Sequence, residues 1–539
     1  MKKNLLRLVI MALTMSQSAW LLADEFYFFI RFTDKNNTPY SLEEPGRFLS
    51  NRALQRRALY KLELDSTDLP VNPAYIEQVR SLGVSIHSQS KWFNGITILT
   101  SDSTRIDSIR PLRFVKQVHY TGRKKSSTQV PQKLRYQTSL SEYGSALAQI
   151  DQLKGRELHQ RGARGKGILI AVLDGGFRNA DTNPGLDSMR LNNRLAGHVN
   201  VVNPSADVFR EDQHGALVLS AMAGNLPGSY LGTAPDASYY LILTEHAPTE
   251  YLVETDFWVR GAELADSIGA DLINSSLGYT EFDDPAQNFK YADMNGTVAR
   301  SSIAAEMAAR KGIIVCTSAG NSGNQSWKYL SSPADARSII SVGSVDVAGN
   351  TSSFSSYGPA SDGRIKPELA ATGSRTALIS TSGTVVYSYG TSFSAPLITG
   401  MVACYLQLLR EQHLQLSVDQ LIHNLTQSAH LYSNPHPQTG YGIPDFSQLP
   451  ELTSQSSFIR QTNPFTVSID LRSNQLSVHL SDCDQPAHLL LFDVSGRLIY
   501  QGKPDVKFLD IPLEAVDAGI YILQVSIGKQ CYFQKLHIQ

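Results

Sequence analysis

The sequence predicts an α/β protein: a doubly wound parallel sheet in the central region, a small α+β unit before it and an all-β sandwich after it. Three observations carry this. Between about Gly165 and Leu449, short apolar runs alternate with helix-like stretches, the signature of a parallel sheet covered on both faces. Before about Tyr120, strand-like and helix-like runs mix at close spacing. After about Ser454 the helical pattern stops, and short strand-like runs follow one another between turn residues.

The elements follow in order. Lys2, Lys3 and Arg7 precede a short apolar run, and Leu21-Leu22-Ala23 precedes Asp24, which reads as a secretory signal peptide over 1–23. Ser16, Gln17 and Ser18 interrupt the apolar stretch, so it spans a membrane poorly, and no later run is apolar for long enough. The N-terminal unit, 24–120, contains strand-like runs at 25–32 and 95–100 and helix-like runs at 47–57 and 74–82. Residues 121–149 have linker composition, opening on Arg123-Lys124-Lys125-Ser126-Ser127, with Pro131 further on. A basic, exposed tract of that kind suits proteolytic maturation and equally suits an ordinary interdomain loop.

The central domain, 150–449, has strand candidates at 168–173, 239–243, 271–276, 313–317 and 339–345. Its helix candidates are 216–223, 257–268, 301–310 and 394–409. The last domain, 454–539, has strand candidates at 466–471, 475–480, 488–494, 498–501 and 519–525. With 539 residues, 42% hydrophobic and 18% charged, the chain is globular and long enough for two to four domains. A formal net charge of -1 gives nucleic acid or an anionic membrane no electrostatic hold. Cys316 and Cys404 lie in apolar runs and read as buried thiols, while Cys483 and Cys531 could pair in an oxidising compartment.

Four polar residues stand at the ends of such runs. Asp174 closes 167–174 and precedes Gly175-Gly176, where a carboxylate beyond a parallel strand can orient a histidine. His214 opens a small-residue helical run and has the near-neutral pKa of a general base. Asn321, in Ser318-Ala319-Gly320-Asn321, can donate its amide to a developing oxyanion. Ser392 lies between Gly390-Thr391 and a helical run with Pro396 in its first turn, which places a hydroxyl at a positive helix end. Each alone also reads as a turn or cap residue, and Ser392 as a plain N-cap. An acid, an imidazole, an amide and a hydroxyl together are the parts of a serine nucleophile site.

With these motifs in view, the chain resembles the subtilisin-like serine peptidases. The match rests on Ala171-Val172-Leu173-Asp174-Gly175-Gly176, His214-Gly215, Ser318-Ala319-Gly320-Asn321-Ser322-Gly323 and Gly390-Thr391-Ser392-Phe393-Ser394-Ala395-Pro396. Their order, acid then imidazole then hydroxyl, is that of subtilisin. Asn321 argues against the related carboxyl-type peptidases, which need an acid there.

The resemblance implies Ser392 as nucleophile, His214 as acid–base, Asp174 as its orienter and Asn321 in the oxyanion hole. It implies that Ser276, Leu277 and Gly278 pair with substrate backbone, and that Ser318, Ala319 and Gly320 line the specificity pocket. It departs at Leu217, where the family usually has a second histidine. Residues 24–120 resemble an inhibitory propeptide, so the chain's own N-terminal unit is an implied partner beside peptide substrates. The C-terminal domain resembles type IX secretion sorting domains through Asn463-Pro464-Phe465, Asp493-Val494-Ser495-Gly496-Arg497 and 518–525, which implies export through the periplasm to the surface or medium. No cofactor is implied. Family members often bind calcium, and Asp181, Asn183 and Asp187 could offer oxygens, though Pro184 and Gly185 mark a plain polar loop. The rival readings are a catalytically inactive binding protein on the same fold, suggested by Leu217, and an esterase or transpeptidase.

Overall fold

The run Leu169–Asp174 is buried along its whole length and forms the middle of a parallel sheet. This structure, a computed structural model, describes residues 25–124, 142–246 and 249–449, together with the strand-forming parts of 465–538. The described residues fall into two units, 1–450 and 451–539.

Within the first unit the N-terminal domain is a four-stranded antiparallel sheet of β1 (Glu25–Phe32), β2 (Ser85–Ser90), β3 (Gly95–Thr100) and β4 (Val115–Lys124), in the order β2-β3-β1-β4. Helices α1 (Asn51–Leu59) and α2 (Pro73–Arg80) pack in it, with a short helical turn at Arg105–Ile109. Ser50 caps α1 by accepting from the Ala53 N–H, and Asn72 caps α2 before Pro73. The first helix therefore starts later than expected, after a short turn at Pro45–Arg47.

The central sheet contains β5 (Leu169–Asp174), β6 (Leu195–Asn200), β7 (Ser238–Leu243), β8 (Leu272–Ser275), β9 (Ile314–Ser318), β10 (Ile340–Val345) and β11 (Leu369–Thr372). Their order is β11-β10-β9-β8-β5-β7-β6, and every pairing is parallel. Strand order reverses at β5, which makes its carboxyl end the switch point where such sheets bind ligands. Helices α3 (His214–Ala223) and α6 (Thr391–Glu411) cover one face, while α4 (Val253–Ile268) and α5 (Arg300–Arg310) cover the other. Phe257, Trp258 and Ala262 of α4 pack into the core with Ala171 and Leu173 of β5.

Helix α6 is long and apolar enough to cross a membrane, yet its apolar stretch is buried in this unit. Cys316 and Cys404 are buried free thiols, as expected, and burial pushes the Cys316 thiol up to about 12.

Two expectations need correction. Residues 121–149 are not all linker: Thr121 to Lys124 continue β4, and Leu147–Gln152 is a helix whose Gln149 side chain accepts from the Ala377 N–H at 2.9 Å. Helix α6 begins at Thr391, three residues earlier than expected, so Gly390 is its N-cap and Ser392 is not. Pro396 accordingly sits in its second turn.

In the second unit, Phe465–Asp470, Gln475–Leu480 and Phe508–Pro512 form one antiparallel sheet. Ala487–Asp493, Leu498–Gly502, Gly519–Ile527 and Gln530–Ile538 form another. Leu476, Val478 and Ile511 share one buried cluster with Leu489, Leu491, Leu523 and Val525, the packing of a small sandwich. The signal peptide, most of the linker, Asn463-Pro464, Cys483 and the Cys531 side chain lie outside the described residues.

Candidate active site

Asp174 ends β5 with its side chain fully buried. Its Oδ1 accepts from the Gly175 N–H at 2.8 Å and from His214 Nδ1 at 2.8 Å. Its Oδ2 has no hydrogen-bond partner.

His214 is the first residue of α3, and Asp212 holds that helix end by accepting the His214 N–H at 2.7 Å. Gly215 permits the approach of helix to strand. A Cβ there would lie 2.5 Å from the Gly176 carbonyl and 2.8 Å from Asp174 Cβ. The imidazole keeps a third of its surface exposed. Burial works to lower its pKa, but the Asp174 charge and hydrogen bond, with Asp212 and Glu245 behind them, raise it above the ordinary histidine value.

Ser392 lies in the first turn of α6. Pro396 has no N–H to give the carbonyl four residues before it, which is that of Ser392. Ser276 Oγ donates to this carbonyl at 2.7 Å, while Ser392 Oγ donates to the Ser276 carbonyl at 3.3 Å. The two serines thus clasp each other, and Ser392 Oγ forms no hydrogen bond to His214 in this state. The Phe393 ring lies beside the imidazole, with centroids 5.7 Å apart.

Asn321 follows β9 and is exposed. Its Oδ1 accepts from the Thr391 N–H at 2.8 Å and from Thr391 Oγ1 at 3.0 Å. The amide oxygen is therefore tied to the start of α6, which leaves Nδ2 as the outward donor. Thr391 Oγ1 also accepts from the Gly320 N–H at 3.2 Å, so one threonine aligns both Gly320 and Asn321.

Ser276, Leu277 and Gly278 continue from β8, and Ser318, Ala319 and Gly320 from the end of neighbouring β9. Leu277 and Gly278 make no backbone hydrogen bond to other described residues, so they offer an open edge. Ala319 is anchored by the Val342 carbonyl and by the Ser331 N–H. Leu217 is half buried on α3 and leaves the Asp174–His214 bond intact.

The oxygens suggested for calcium are committed elsewhere. Asp181 pairs with Arg210 at 2.7 Å and Asp187 pairs with Arg190. Asn183 Oδ1 accepts from the Gly185 N–H, and its Nδ2 donates to the Ser380 carbonyl.

Sequence reasoning missed the acids of α4. Glu263 accepts from Ser90 Oγ and from the Lys91 and Trp92 N–H groups of the N-terminal domain. Asp266 meets Arg56, Arg57 and Lys91. It also missed Glu245, Glu250 and Glu254, whose carboxylate oxygens lie within 4.8 Å of one another.

A family profile described as the subtilase family matches residues 165–444. A second, described as the peptidase S8 propeptide domain of Bacteroidota, matches residues 27–137. The thermostable alkaline protease of Halalkalibacterium halodurans is 26% identical over 282 residues, which cover 52% of this chain and 67% of that protein. Subtilisin E of Bacillus subtilis is 28% identical over 264 residues, 48% of this chain and 60% of that one. Fervidolysin from Fervidobacterium pennivorans, described as a keratinolytic enzyme related to subtilisin, superposes with a TM-score of 0.53 at 18% identity. That match covers 93% of this chain and 70% of fervidolysin, and it speaks to the fold.

Proposed function

The chain belongs to the subtilase family, and on that premise we propose a secreted serine endopeptidase made as a self-inhibited precursor. The reading is supported above all by the start of α6, where the Phe393 ring lies beside an imidazole bonded to a buried carboxylate and Thr391 clasps the Asn321 amide.

The Ser392 hydroxyl turns from the Ser276 carbonyl towards His214 Nε2, which takes its proton as the oxygen attacks a peptide carbonyl. Asp174 stabilises the imidazolium that results. The oxyanion accepts from Asn321 Nδ2 and the Ser392 N–H at the positive end of α6. Collapse expels the amine, which takes the proton from His214, and water then releases the acyl group by the same relay. Substrate backbone adds to the open edge at Ser276, Leu277 and Gly278, with Ser318, Ala319 and Gly320 as the facing wall.

The N-terminal domain acts as the propeptide, docked through Glu263 and Asp266. Residues 1–23 act as signal peptide, and the C-terminal sandwich as a type IX sorting domain. The test is a fluorophosphonate probe with a casein assay. Matured protein labels at Ser392 and digests casein, and Ser392→Ala loses both while keeping its melting temperature. A folded protein freed of its N-terminal domain that still takes no label would favour the inactive binding protein instead.

A further inference from the structure

Beside the triad lies a group of acids that the proposed chemistry does not use. Glu245 follows β7, and Glu254 belongs to the first turn of α4. One carboxylate oxygen of each, and one of Glu250, lie within 4.8 Å of one another. Among the described residues, no lysine or arginine forms an ion pair with any of the three.

The cluster is poorly supplied with donors. Glu245 accepts from Tyr279 Oη, and Glu254 Oε1 accepts from the Tyr251 N–H at 3.3 Å. Glu254 is only 1% exposed, yet its Oε2 has no partner. The Glu245 and Glu254 carboxylates lie close together with no donor between them, so an acceptor faces an acceptor. Burying like charges this close is costly unless a cation or a proton sits between them.

Geometry favours the cation. The three carboxylate oxygens, none more than 4.8 Å from another, are close enough to share one ion that holds its ligands at roughly 2.3–2.6 Å. Three carboxylates set by a loop and a helix start suit calcium, which tolerates irregular all-oxygen shells that magnesium does not. Glu245 and Glu250 are half buried, so backbone carbonyls and water can complete the shell from the open side. We propose that Glu245, Glu250 and Glu254 form a calcium site that ties the loop after β7 to the start of α4.

The site has a structural use. Glu245 Cβ lies 3.5 Å from where a Cβ on Gly175 would stand, and the Tyr279 hydroxyl that it holds belongs to the residue after Gly278. An ion there braces the loop that carries Asp174 against the segment that aligns substrate. Without the ion, burial and mutual repulsion hold Glu250 up at about 8 and Glu254 well above the carboxylate range.

The experiment uses the full chain carrying Ser392→Ala, which prevents self-digestion, and compares it with the same chain carrying Glu250→Gln or Glu245→Gln. Melting temperature is measured in EDTA and in calcium, and binding by tyrosine-sensitised terbium luminescence displaced by calcium. Calcium should raise the parent's melting temperature by several degrees. Each glutamine variant should lose most of that rise and bind at least ~10-fold more weakly. In EDTA the variants should melt at or above the parent, because one repelling charge is gone. A rise that survives undiminished in both variants places the ion elsewhere and overturns the site. No rise in the parent means that protons alone hold the cluster, and it overturns the site equally.

Discussion

Asp174 shows how a single residue sets the working pH. Both hydrogen bonds to it fall on Oδ1, one from its own loop and one from His214. Its influence helps to raise the His214 pKa above the usual 6.5. The sign follows directly. A base must be neutral to act, so activity appears as pH rises through that raised value. The same shift favours the protonated ring in the folded state, so its stabilising effect is full below about 6.5 and fades as pH rises through the folded value. Asp174→Asn removes the charge and can present an N–H to Nδ1, which favours the wrong tautomer. The expected result is a loss in kcat on the order of 10⁴, the size of this swap in a trypsin-like triad, and an acid limb of kcat/KM displaced to lower pH. A pH profile on a peptide substrate checks both, and an unmoved limb would count against the role given to Asp174. Asp174, His214, Asn321 and Ser392 stand out in the sequence because each ends an apolar run or opens a helix next to glycine or another small residue. The Ser276–Ser392 clasp was not, since it depends on Pro396 lying in the second turn and on two segments 116 residues apart.

At the scale of the element, α4 is the unusual one. Asp256, Glu263 and Asp266 would read as a solvent face by their spacing, yet all three are buried. Their partners come from the N-terminal domain or a neighbouring helix: Ser90 and Lys91 at Glu263, Arg56, Arg57 and Lys91 at Asp266, and Arg300 at Asp256 at 2.7 Å. No local pattern reveals the pairs of Glu263 and Asp266, which are more than 170 residues apart. Burial would raise the Asp266 pKa, but the charges of Lys91, Arg56 and Arg57 outweigh it and hold the carboxyl down at about 2. That depression means its contribution is fully present above the ordinary carboxylate value and is lost only as pH falls through about 2. Asp266→Asn leaves two buried guanidinium groups short of charge. In the full chain with Ser392→Ala it should cost about 3 kcal/mol or more. Urea titrations should give the same deficit at pH 5 and pH 8. A deficit near zero would mean that the docked domain does not depend on this cluster.

Across the whole molecule, legibility tracked continuous apolar patterning. Strands β5, β7, β8, β9 and β10 are apolar runs and were read from sequence. Strand β6 was missed because it lies at the sheet edge, alternates between exposed and half-buried positions and contains Gly197. Strand β11, at the other edge, is only four residues long and follows Lys366-Pro367-Glu368. In the N-terminal domain β2 and β4 were missed for the same reason as β6, since much of each faces water. The C-terminal unit keeps a buried cluster of its own, drawn wholly from 476–538. A unit with its own core can be removed without opening another. A chain ending at residue 450 should therefore keep the melting transition of the first unit and, after maturation, a kcat/KM within about twofold of the full chain. If the sandwich is a sorting domain, the same truncation should also strand the protein in the periplasm of a host with the type IX machinery. Unchanged activity with lost export supports that division of labour. A truncated protein that exports normally would refute the sorting role, and one that unfolds would show that the first unit depends on the sandwich for its stability.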